Sequence, residues 1–395
     1  MLAFATSPYI VTTWLGGPIS DSLIWGPGWR WAFGIFAIVT PVVVAPLCAL
    51  FLRNQYRAQQ IGLIPVRGRL ADISFADIKK YAIDADVAGI VLLAGGMALF
   101  LLPFSLYSYQ SQTWNSPMII CMIIFGGLLL IAFVLYERFL APVMFIPVQL
   151  LTDRTVFFAG MMFVFVFFSA AVWGSYFNSM LLVAFNQGVT KTTYISNIYR
   201  VGSCFSALIL GLFMRWTGRF KWVALFYGLP LMLLGVGLMI QFRQPDSPIG
   251  YIVMTQIFVA LAGGPIVVSG EMAMMAPLEH QQIAVILAIL DLFGSIGTAL
   301  GSTVAAAIWT GVFRNALRRH LPPGSDMERI YGSIYSQLGY KVGTEIRTGI
   351  GYAYAEAQRY MLITSVCLLA AAIVCVALWR DIKVKDIKQV KGNVV

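Results

Sequence analysis

A polar stripe inside an otherwise apolar segment, residues 283–309, is the part of this sequence best suited to chemistry. Its members are Asp291, Ser295, Thr298 and Ser302, at successive steps of four, three and four residues. At about 100° per residue, these side chains fall within about 60° of one another on a helix. Hydroxyl groups at this spacing can hydrogen-bond a polar ligand, and a carboxylate among them can bind and release a proton. Ser295 and Thr298 are therefore candidates for lining a polar cavity.

Asp291 is the first candidate for a proton-carrying group. A carboxylate deep in an apolar segment costs about 2.5–3.5 kcal/mol on membrane-insertion scales, so it must be protonated, paired or hydrated. Two interpretations of Asp291 stay open: a proton or substrate site, and a single hydrogen bond to a neighbouring helix. Glu271 is the second candidate, because it follows Gly263-Gly264-Pro265 near the end of the preceding apolar segment. A gate residue and a solvated helix end are the alternatives for Glu271.

Other polar residues share a face or an end of two further apolar segments. Asn197, Arg200 and Ser203 follow one another at steps of three, which places them on one face of a helix. Arg200 either extends to the lipid headgroups or supplies a cation to a cavity. Tyr176 and Asn178 lie at a segment end, where aromatic residues either anchor the interface or line the mouth of a cavity. The cavity candidates here are Tyr176, Asn178, Asn197 and Arg200.

A tyrosine-rich stretch, residues 310–359, separates the last two apolar segments. Its candidate ligand contacts are Tyr331, Tyr335, Tyr340 and Tyr352. Each tyrosine offers a rigid ring and a hydroxyl, a combination suited to capture of a bulky amphiphile. The alternative is that these rings anchor short helices on the membrane surface.

The composition indicates which elements position these residues. Of 395 residues, 59% are hydrophobic and 11% are charged, whereas soluble domains carry about 25% charged residues. So few charges cannot cover a soluble enzyme, and the abundance of apolar residues excludes disorder. Runs of about 20 apolar residues predict helices that cross a bilayer. The ten predicted spans are residues 2–19, 31–52, 87–106, 117–136, 156–177, 194–214, 222–241, 251–270, 283–309 and 360–379.

The basic residues predict the orientation of these spans. They cluster in 53–86, 215–221 and 380–395, and Lys and Arg mark cytoplasmic segments of membrane proteins. The C-terminus is therefore predicted inside. Because the net charge of +10 is explained in this way, it does not indicate binding to nucleic acid.

Several kinds of catalytic or energy-coupling site are missing from the sequence. The motif G-x-x-x-x-G-K-[ST] is absent, so no ATP site is predicted. With two His and five Cys, none in a C-x-x-C pair, no metal or cofactor site is predicted either. No nucleophile, base and orienting group stand at an interpretable spacing. The chain is therefore not predicted to be an enzyme, and an ion gradient, a partner or a downhill substrate must supply any energy.

Several residue runs resemble one family of membrane proteins. Pro8-Tyr9-Ile10, Gly16-Gly17-Pro18-Ile19-Ser20-Asp21 and Gly28-Trp29-Arg30-Trp31-Ala32-Phe33-Gly34 are similar to the fifth and sixth spans of fourteen-span major facilitator transporters. The later runs are Tyr194-Ile195-Ser196-Asn197, Thr217-Gly218-Arg219-Phe220-Lys221, Phe242-Arg243-Gln244-Pro245, Gly301-Ser302-Thr303-Val304 and Trp379-Arg380-Asp381-Ile382. Together, these runs resemble the fungal siderophore-iron transporter family of that superfamily.

The resemblance implies an all-α membrane protein, a major facilitator helical bundle of about ten transmembrane helices with an incomplete N-terminal half. The first four of fourteen spans are expected to be missing. The predicted divisions are 1–52, the last two helices of the N-terminal bundle; 53–86, a cytoplasmic loop; 87–136, two linking transmembrane helices; 137–155, a cytoplasmic linker; 156–379, the C-terminal six-helix bundle including the outer loop 310–359; and 380–395, a cytoplasmic tail.

For function, the resemblance implies a symporter that imports ferric siderophores, which are bulky iron chelates, together with protons. The chelate fills the coordination sphere of the iron, so the protein itself would not ligate the metal. The expected location is the plasma membrane, with an endosomal or vesicular membrane as the alternative. Two other hypotheses stay open: a drug–proton antiporter of the same fold, and a membrane fragment that transports nothing.

Overall fold

Helices make up nearly all of the described structure. The computed structural model of the chain describes residues 7–63, 75–84, 86–107, 110, 112–142, 152–277 and 283–383. Within these ranges the only β pairing is an isolated bridge between Arg219 and Lys383. The prediction of an all-α protein is therefore confirmed.

The helices form a series of long rods joined by short segments. In chain order they are α1 (Tyr9–Trp25), α2 (Trp29–Gln60), α3 (Phe75–Asp84), α4 (Val87–Leu101), α5 (Pro103–Leu106), α6 (Pro117–Phe139), α7 (Arg154–Gly174), α8 (Phe177–Val183), α9 (Val189–Thr217), α10 (Lys221–Phe242, with a π-helical turn at Ala224–Gly228), α11 (Ile249–Met275), α12 (Ile283–Ile308), α13 (Arg314–His320), α14 (Met327–Gly332), α15 (Ile334–Leu338) and α16 (Glu345–Ala377). A π-helical turn, Trp309–Phe313, joins α12 to α13.

Nine of these helical stretches are long and apolar enough to cross a membrane, counted over the described residues. They correspond to the nine predicted spans from residue 31 onward. The first predicted span, 2–19, corresponds to α1, which has 17 residues and extends to Trp25; residues 2–6 lie outside the described ranges. The chain is therefore a multi-pass integral membrane protein.

The last helix begins earlier than the sequence indicated. α16 starts at Glu345, inside the range 310–359 assigned to the outer loop, rather than near residue 360. The Thr344 hydroxyl caps it by accepting a hydrogen bond from the Arg347 amide. Arg347 and Gln358 lie on these added turns and point into the protein, where both are buried. Because these polar side chains lower the local hydropathy, the apolar pattern places the start of the helix too late.

Glycines set a close helix contact between α7 and α12. A Cβ added at Gly301 would come within 2.6 Å of both the Ala171 Cβ and the Phe168 carbonyl oxygen. Gly297, one turn earlier, meets the Val164 backbone in the same way. This geometry is the close approach that a G-x-x-x-G step favours.

Serines and glycines also join other helix pairs of the bundle. Ser169 of α7 and Ser365 of α16 each donate a hydrogen bond to the other's carbonyl oxygen, both at 3.2 Å. In the α9–α11 contact, a Cβ on Gly202 would lie 2.6 Å from that of Ala260. A core of apolar side chains from α7, α9, α10, α11, α12 and α16 fills the space between these contacts.

α1 packs on α9 of the C-terminal bundle through its Gly16-Gly17-Pro18 region. Gly17 is buried, and a Cβ there would lie 3.4 Å from Thr190 and Tyr194. Thr190 also donates a hydrogen bond of 3.2 Å to the Asp21 carboxylate. In contrast, no residue in the most apolar stretch of α2 is buried within the described structure.

The hairpin of α4 and α6 contacts the bundle near one end. Gly126 of α6 packs on the backbone of Phe100 in α4. The Tyr107 hydroxyl, just after α5, lies 2.9 Å from the Thr310 hydroxyl of the π-turn that follows α12. Tyr107 also stacks on Trp114, with ring centroids 4.3 Å apart.

The basic turn after α9 closes the opposite end of the bundle. The Lys221 ammonium donates hydrogen bonds to the carbonyl oxygens of Ala377, at 2.9 Å, and Trp379, at 2.6 Å. Since the C-terminal end of a helix carries partial negative charge, a cation there is stabilising. Arg380 forms an ion pair of 3.2 Å with Asp153, which caps the start of α7.

Candidate functional site

The polar stripe on α12 is exposed along its length. Asp291, Ser295, Thr298 and Ser302 are all exposed. The glycines Gly297 and Gly301 are turned to α7 instead, so α12 has one dry packing face and one polar face. The Thr298 hydroxyl donates a hydrogen bond of 2.9 Å to the Gly294 carbonyl. The hydroxyl hydrogen of Thr298 is therefore bonded within α12, while the hydroxyl oxygen can still accept a hydrogen bond.

The two predicted proton-carrying residues lie on adjacent helices. Glu271 is half-buried near the end of α11, and α11 packs beside α12. Asp291 is exposed on α12, so the structure places the two carboxyl groups on neighbouring helices. Residues 278–282, which connect α11 to α12, lie outside the described ranges.

On the predicted polar face of α9, two residues bond to neighbouring helices and one is exposed. The Asn197 side chain donates a hydrogen bond of 3.4 Å to the Thr13 carbonyl of α1. Ser203 donates a bond of 3.2 Å to the Ala260 carbonyl of α11. Arg200 is exposed. Asn197 therefore joins α9 to α1, and Arg200 is the member of the set that is open to a ligand or to headgroups.

Tyr176 lies at a break between α7 and α8. Its backbone adopts a left-handed conformation, with φ +58°, which non-glycine residues rarely take. Its ring stacks on Trp309, with centroids 4.0 Å apart and planes 7° apart. Asn178, two residues on, is exposed and accepts a hydrogen bond from the Ser196 hydroxyl of α9. Both cavity candidates thus lie where α7 gives way to α8.

The four predicted tyrosine contacts occupy different environments. Tyr335 is 82% exposed and is the one most open to solvent. Tyr331 and Tyr340 are half-buried and pack against a small core formed by α8, α13 and the start of α16. The Tyr352 hydroxyl donates a hydrogen bond of 2.9 Å to Asp246. Three of the four therefore have a packing or bonding role, in addition to any role in ligand capture.

Sequence reasoning missed two buried residues beside the Tyr176 break, Arg243 and Gln358. Arg243 follows α10 and is 1% exposed, and Gln358 of α16 is fully buried. Burial lowers the pKa of the Arg243 guanidinium to about 9, so it is charged at neutral pH. The sequence signal for Arg243 is its place in the run Phe242-Arg243-Gln244-Pro245, which resembles the siderophore-iron transporter family.

The chemistry available at these positions is hydrogen bonding and proton binding. Within the described ranges, no group of three or more His, Cys, Asp or Glu side chains is placed to hold a metal ion. The exposed face of α12, the acid pair and the aromatic break at Tyr176 instead suit a polar, bulky solute.

Comparison with known proteins places the chain in a family. The family described as fungal trichothecene efflux pump (TRI12) matches residues 1–326. A siderochrome iron transporter of the major facilitator superfamily from Ajellomyces capsulatus is 51% identical over 397 residues, covering 100% of this chain and 67% of that protein. The chain belongs to the fungal siderophore-iron transporter family. Proteins of this major facilitator family are transporters and not enzymes. The comparison therefore confirms the predicted family and the prediction that the chain is not an enzyme.

Other relatives extend this comparison. Siderochrome iron transporter D of Aspergillus fumigatus is 40% identical, covering 99% of this chain and 65% of that protein. The chain thus spans about two thirds of the length of the siderophore-iron transporters that it matches. A solved bacterial homologue of the human lysosomal transporter Spinster, in an inward-facing and occupied conformation, aligns with 73% of this chain and 67% of its own, with a TM-score of 0.43 and 15% identity.

Proposed function

We propose that this chain carries ferric siderophores across a membrane, as a proton-coupled importer. The observation that carries the proposal is the 51% identity, along the whole chain, to a protein named as a siderochrome iron transporter. The nine apolar helices supply the membrane-spanning frame that such transport requires. The iron would cross as cargo inside its chelate, without forming a bond to the protein.

Proton coupling is supported by the proximity of Glu271 and Asp291. A membrane carboxyl group that gains and loses a proton during the cycle can couple substrate movement to the proton gradient. Asp291 is exposed on the polar face of α12, so no other helix of the described structure covers it. Glu271 lies on the neighbouring helix α11. We assign Asp291 as the proton carrier and Glu271 as its partner.

The substrate path in this proposal runs along the polar face of α12 and past the Tyr176 break. Ser295 and Thr298 offer hydroxyl groups, and Tyr176 with Asn178 offers a ring and an amide. Arg200 supplies an exposed cation on α9. Tyr335, the most exposed ring of the outer segment, would make the first contact with an arriving chelate.

The test is uptake of a radiolabelled ferric siderophore by iron-starved fungal cells that lack their own siderophore transporters. Cells expressing the chain should accumulate the label, and a protonophore should abolish that accumulation. Uptake that survives the protonophore would refute proton coupling while leaving siderophore transport intact. Surface labelling in the same cells tests the plasma membrane as the location, against an endosomal or vesicular membrane.

A drug–proton antiporter is the second candidate, and the match to the family described as a fungal trichothecene efflux pump favours it. Import and export differ in direction, so the same cells preloaded with a labelled trichothecene distinguish them. Faster, proton-dependent loss of that label would support export. Neither uptake nor loss, with the chain correctly inserted, would support a membrane fragment that transports nothing.

A further inference from the structure

The span that opens the C-terminal bundle is interrupted at a fixed place. α7 ends at Gly174 and α8 begins at Phe177, with Tyr176 in the left-handed conformation between them. A break of this kind removes backbone hydrogen bonds that a continuous helix would make. In an apolar environment each carbonyl group released in this way needs another partner.

Two side chains from distant helices provide those partners. Arg243 donates a hydrogen bond of 2.7 Å to the Trp173 carbonyl, and Gln358 donates one of 2.8 Å to the Ser175 carbonyl. Arg243 also donates a bond of 2.7 Å to the Gln358 side-chain oxygen. We call these two side chains the Arg243–Gln358 bracket. It joins the end of α10 and the first half of α16 to the residues around the break.

The charge of this bracket is unusual for a buried site. The Arg243 guanidinium lies over the Phe177 ring, 4.1 Å from its centroid, and near the Met239 sulfur at 3.2 Å. Among the described residues no carboxylate forms an ion pair with it. Burying a cation without a carboxylate is costly. Carbonyl oxygens and aromatic faces stabilise the charge instead, and they tie the guanidinium to this one arrangement of the backbone.

The bracket is adjacent to Tyr176, whose ring forms the stacked pair with Trp309 in the proposed substrate path. The two carbonyl groups that the bracket binds, those of Trp173 and Ser175, lie within the three residues that precede Tyr176. Its ring stacks on Trp309, which belongs to the π-helical turn after α12. A shift of either carbonyl would turn the Tyr176 backbone and move its ring away from Trp309.

We propose that Arg243 and Gln358 are positioning residues that fix the break between α7 and α8 and so place Tyr176 and Asn178 for substrate binding. Neither side chain is exposed, so neither contacts the solute itself. The proposal rests on the proposed transport function for its substrate, and on the structure alone for the geometry of the break. It requires the Arg243 Nη1 group, which donates to both oxygens, and the amide donor of Gln358, and a positive charge alone is not sufficient.

Three substitutions separate this role from charge and from general stability. Arg243→Lys retains the charge, but its ammonium group ends one bond short of the Nη1 atom that donates to both the Trp173 carbonyl and the Gln358 oxygen, and it lacks the planar group that lies over Phe177. Arg243→Met removes the charge and the donors. Gln358→Glu offers the buried guanidinium a counter-charge, which supports folding, but it removes the donor to Ser175. Arg219→Met, at an exposed arginine of the opposite end of the bundle, is the matched control.

The first measurement is the kinetics of siderophore uptake. Each of the three bracket variants should raise KM about tenfold or more, because small misplacements of binding groups are costly, and should change the maximal rate per inserted molecule much less. Arg219→Met should leave KM unchanged. A wild-type KM in Arg243→Lys and in Gln358→Glu would overturn the proposal.

The second measurement needs no substrate. In a background with the five native cysteines replaced by serine, Asn178→Cys reports the first turn of α8 through its rate of labelling by a thiol reagent. The bracket variants should change that rate about fivefold or more, and the control should not. Unchanged labelling in all three overturns the proposal even if uptake falls. If the wild-type chain shows no uptake, the proposed function fails, and the labelling still decides whether the bracket fixes the break.

Discussion

Gly301 of α12 lies so close to Phe168 of α7 that an added Cβ would come within 2.6 Å of the Phe168 carbonyl oxygen. Any larger side chain must therefore push the two helices apart. We expect Gly301→Val to destabilise the folded protein by about 1–3 kcal/mol, since overpacking a tight contact costs this much. The measurement is the Tm of the detergent-purified protein. Gly211→Val, at a position where a Cβ meets nothing within 4 Å, should leave the Tm nearly unchanged; an equal loss in both variants would contradict the prediction.

Asp291→Asn should reduce proton-driven uptake by roughly tenfold or more, without preventing membrane insertion. The amide retains the size and hydrogen-bonding groups of the side chain but cannot release a proton, and proton-transfer groups contribute factors of this size or larger. Initial uptake rates with and without a protonophore, normalised to the inserted protein, are the measurement. Asp77→Asn, at an exposed aspartate of α3, is the control. Wild-type uptake in Asp291→Asn that still collapses with the protonophore would discard Asp291 as the proton carrier.

Lys221→Met should destabilise the inner corner of the bundle by about 1 kcal/mol. The variant loses two hydrogen bonds from an ammonium group, one to the last carbonyl group of α16, that of Ala377, and one to the Trp379 carbonyl group just beyond it, and partial exposure of Lys221 reduces their net value. Thermal unfolding followed by intrinsic fluorescence measures the change. Lys191→Met, at an exposed lysine of α9, should have no comparable effect.

The effect of Arg243→Met on stability should be constant between about pH 5 and pH 8. Because burial lowers the Arg243 pKa to about 9 from an ordinary value of 12.5, the guanidinium is charged in both folded and unfolded chains over this range. The Tm difference between wild type and variant, measured across pH, should therefore be flat; a difference that varies between pH 5 and 8 would contradict this assignment.

The sequence predicts the membrane frame and the polar face of α12 because these depend on local spacing. Asp291 and Ser295 fall on one face of a helix through the helical period alone, and the same period puts Gly297 and Gly301 on a neighbouring face. The start of α16 is missed for a related reason. Arg347 and Gln358 look like solvated loop residues until other helices are available to bury them.

The bracket beside Tyr176 could not be derived from spacing. Arg243 and Gln358 are separated by 115 positions in the chain, and their partners are main-chain carbonyl groups released by a break in another helix. The apolar pattern places Tyr176 and Asn178 at the end of a span, but nothing in the local sequence shows that the helix resumes at Phe177. Only the packing of α7 against α10 and α16 brings these groups together.

The contact of α1 with α9 has a mechanical consequence. Asn197 holds the Thr13 carbonyl and Thr190 holds Asp21, so this seam is fastened by bonds that water can replace one at a time. Gly17, which has no side chain, lies against α9 between these two hydrogen bonds. Two helices joined in this way can shift past each other in small steps, which suits an interface that would part and re-form during the proposed transport cycle.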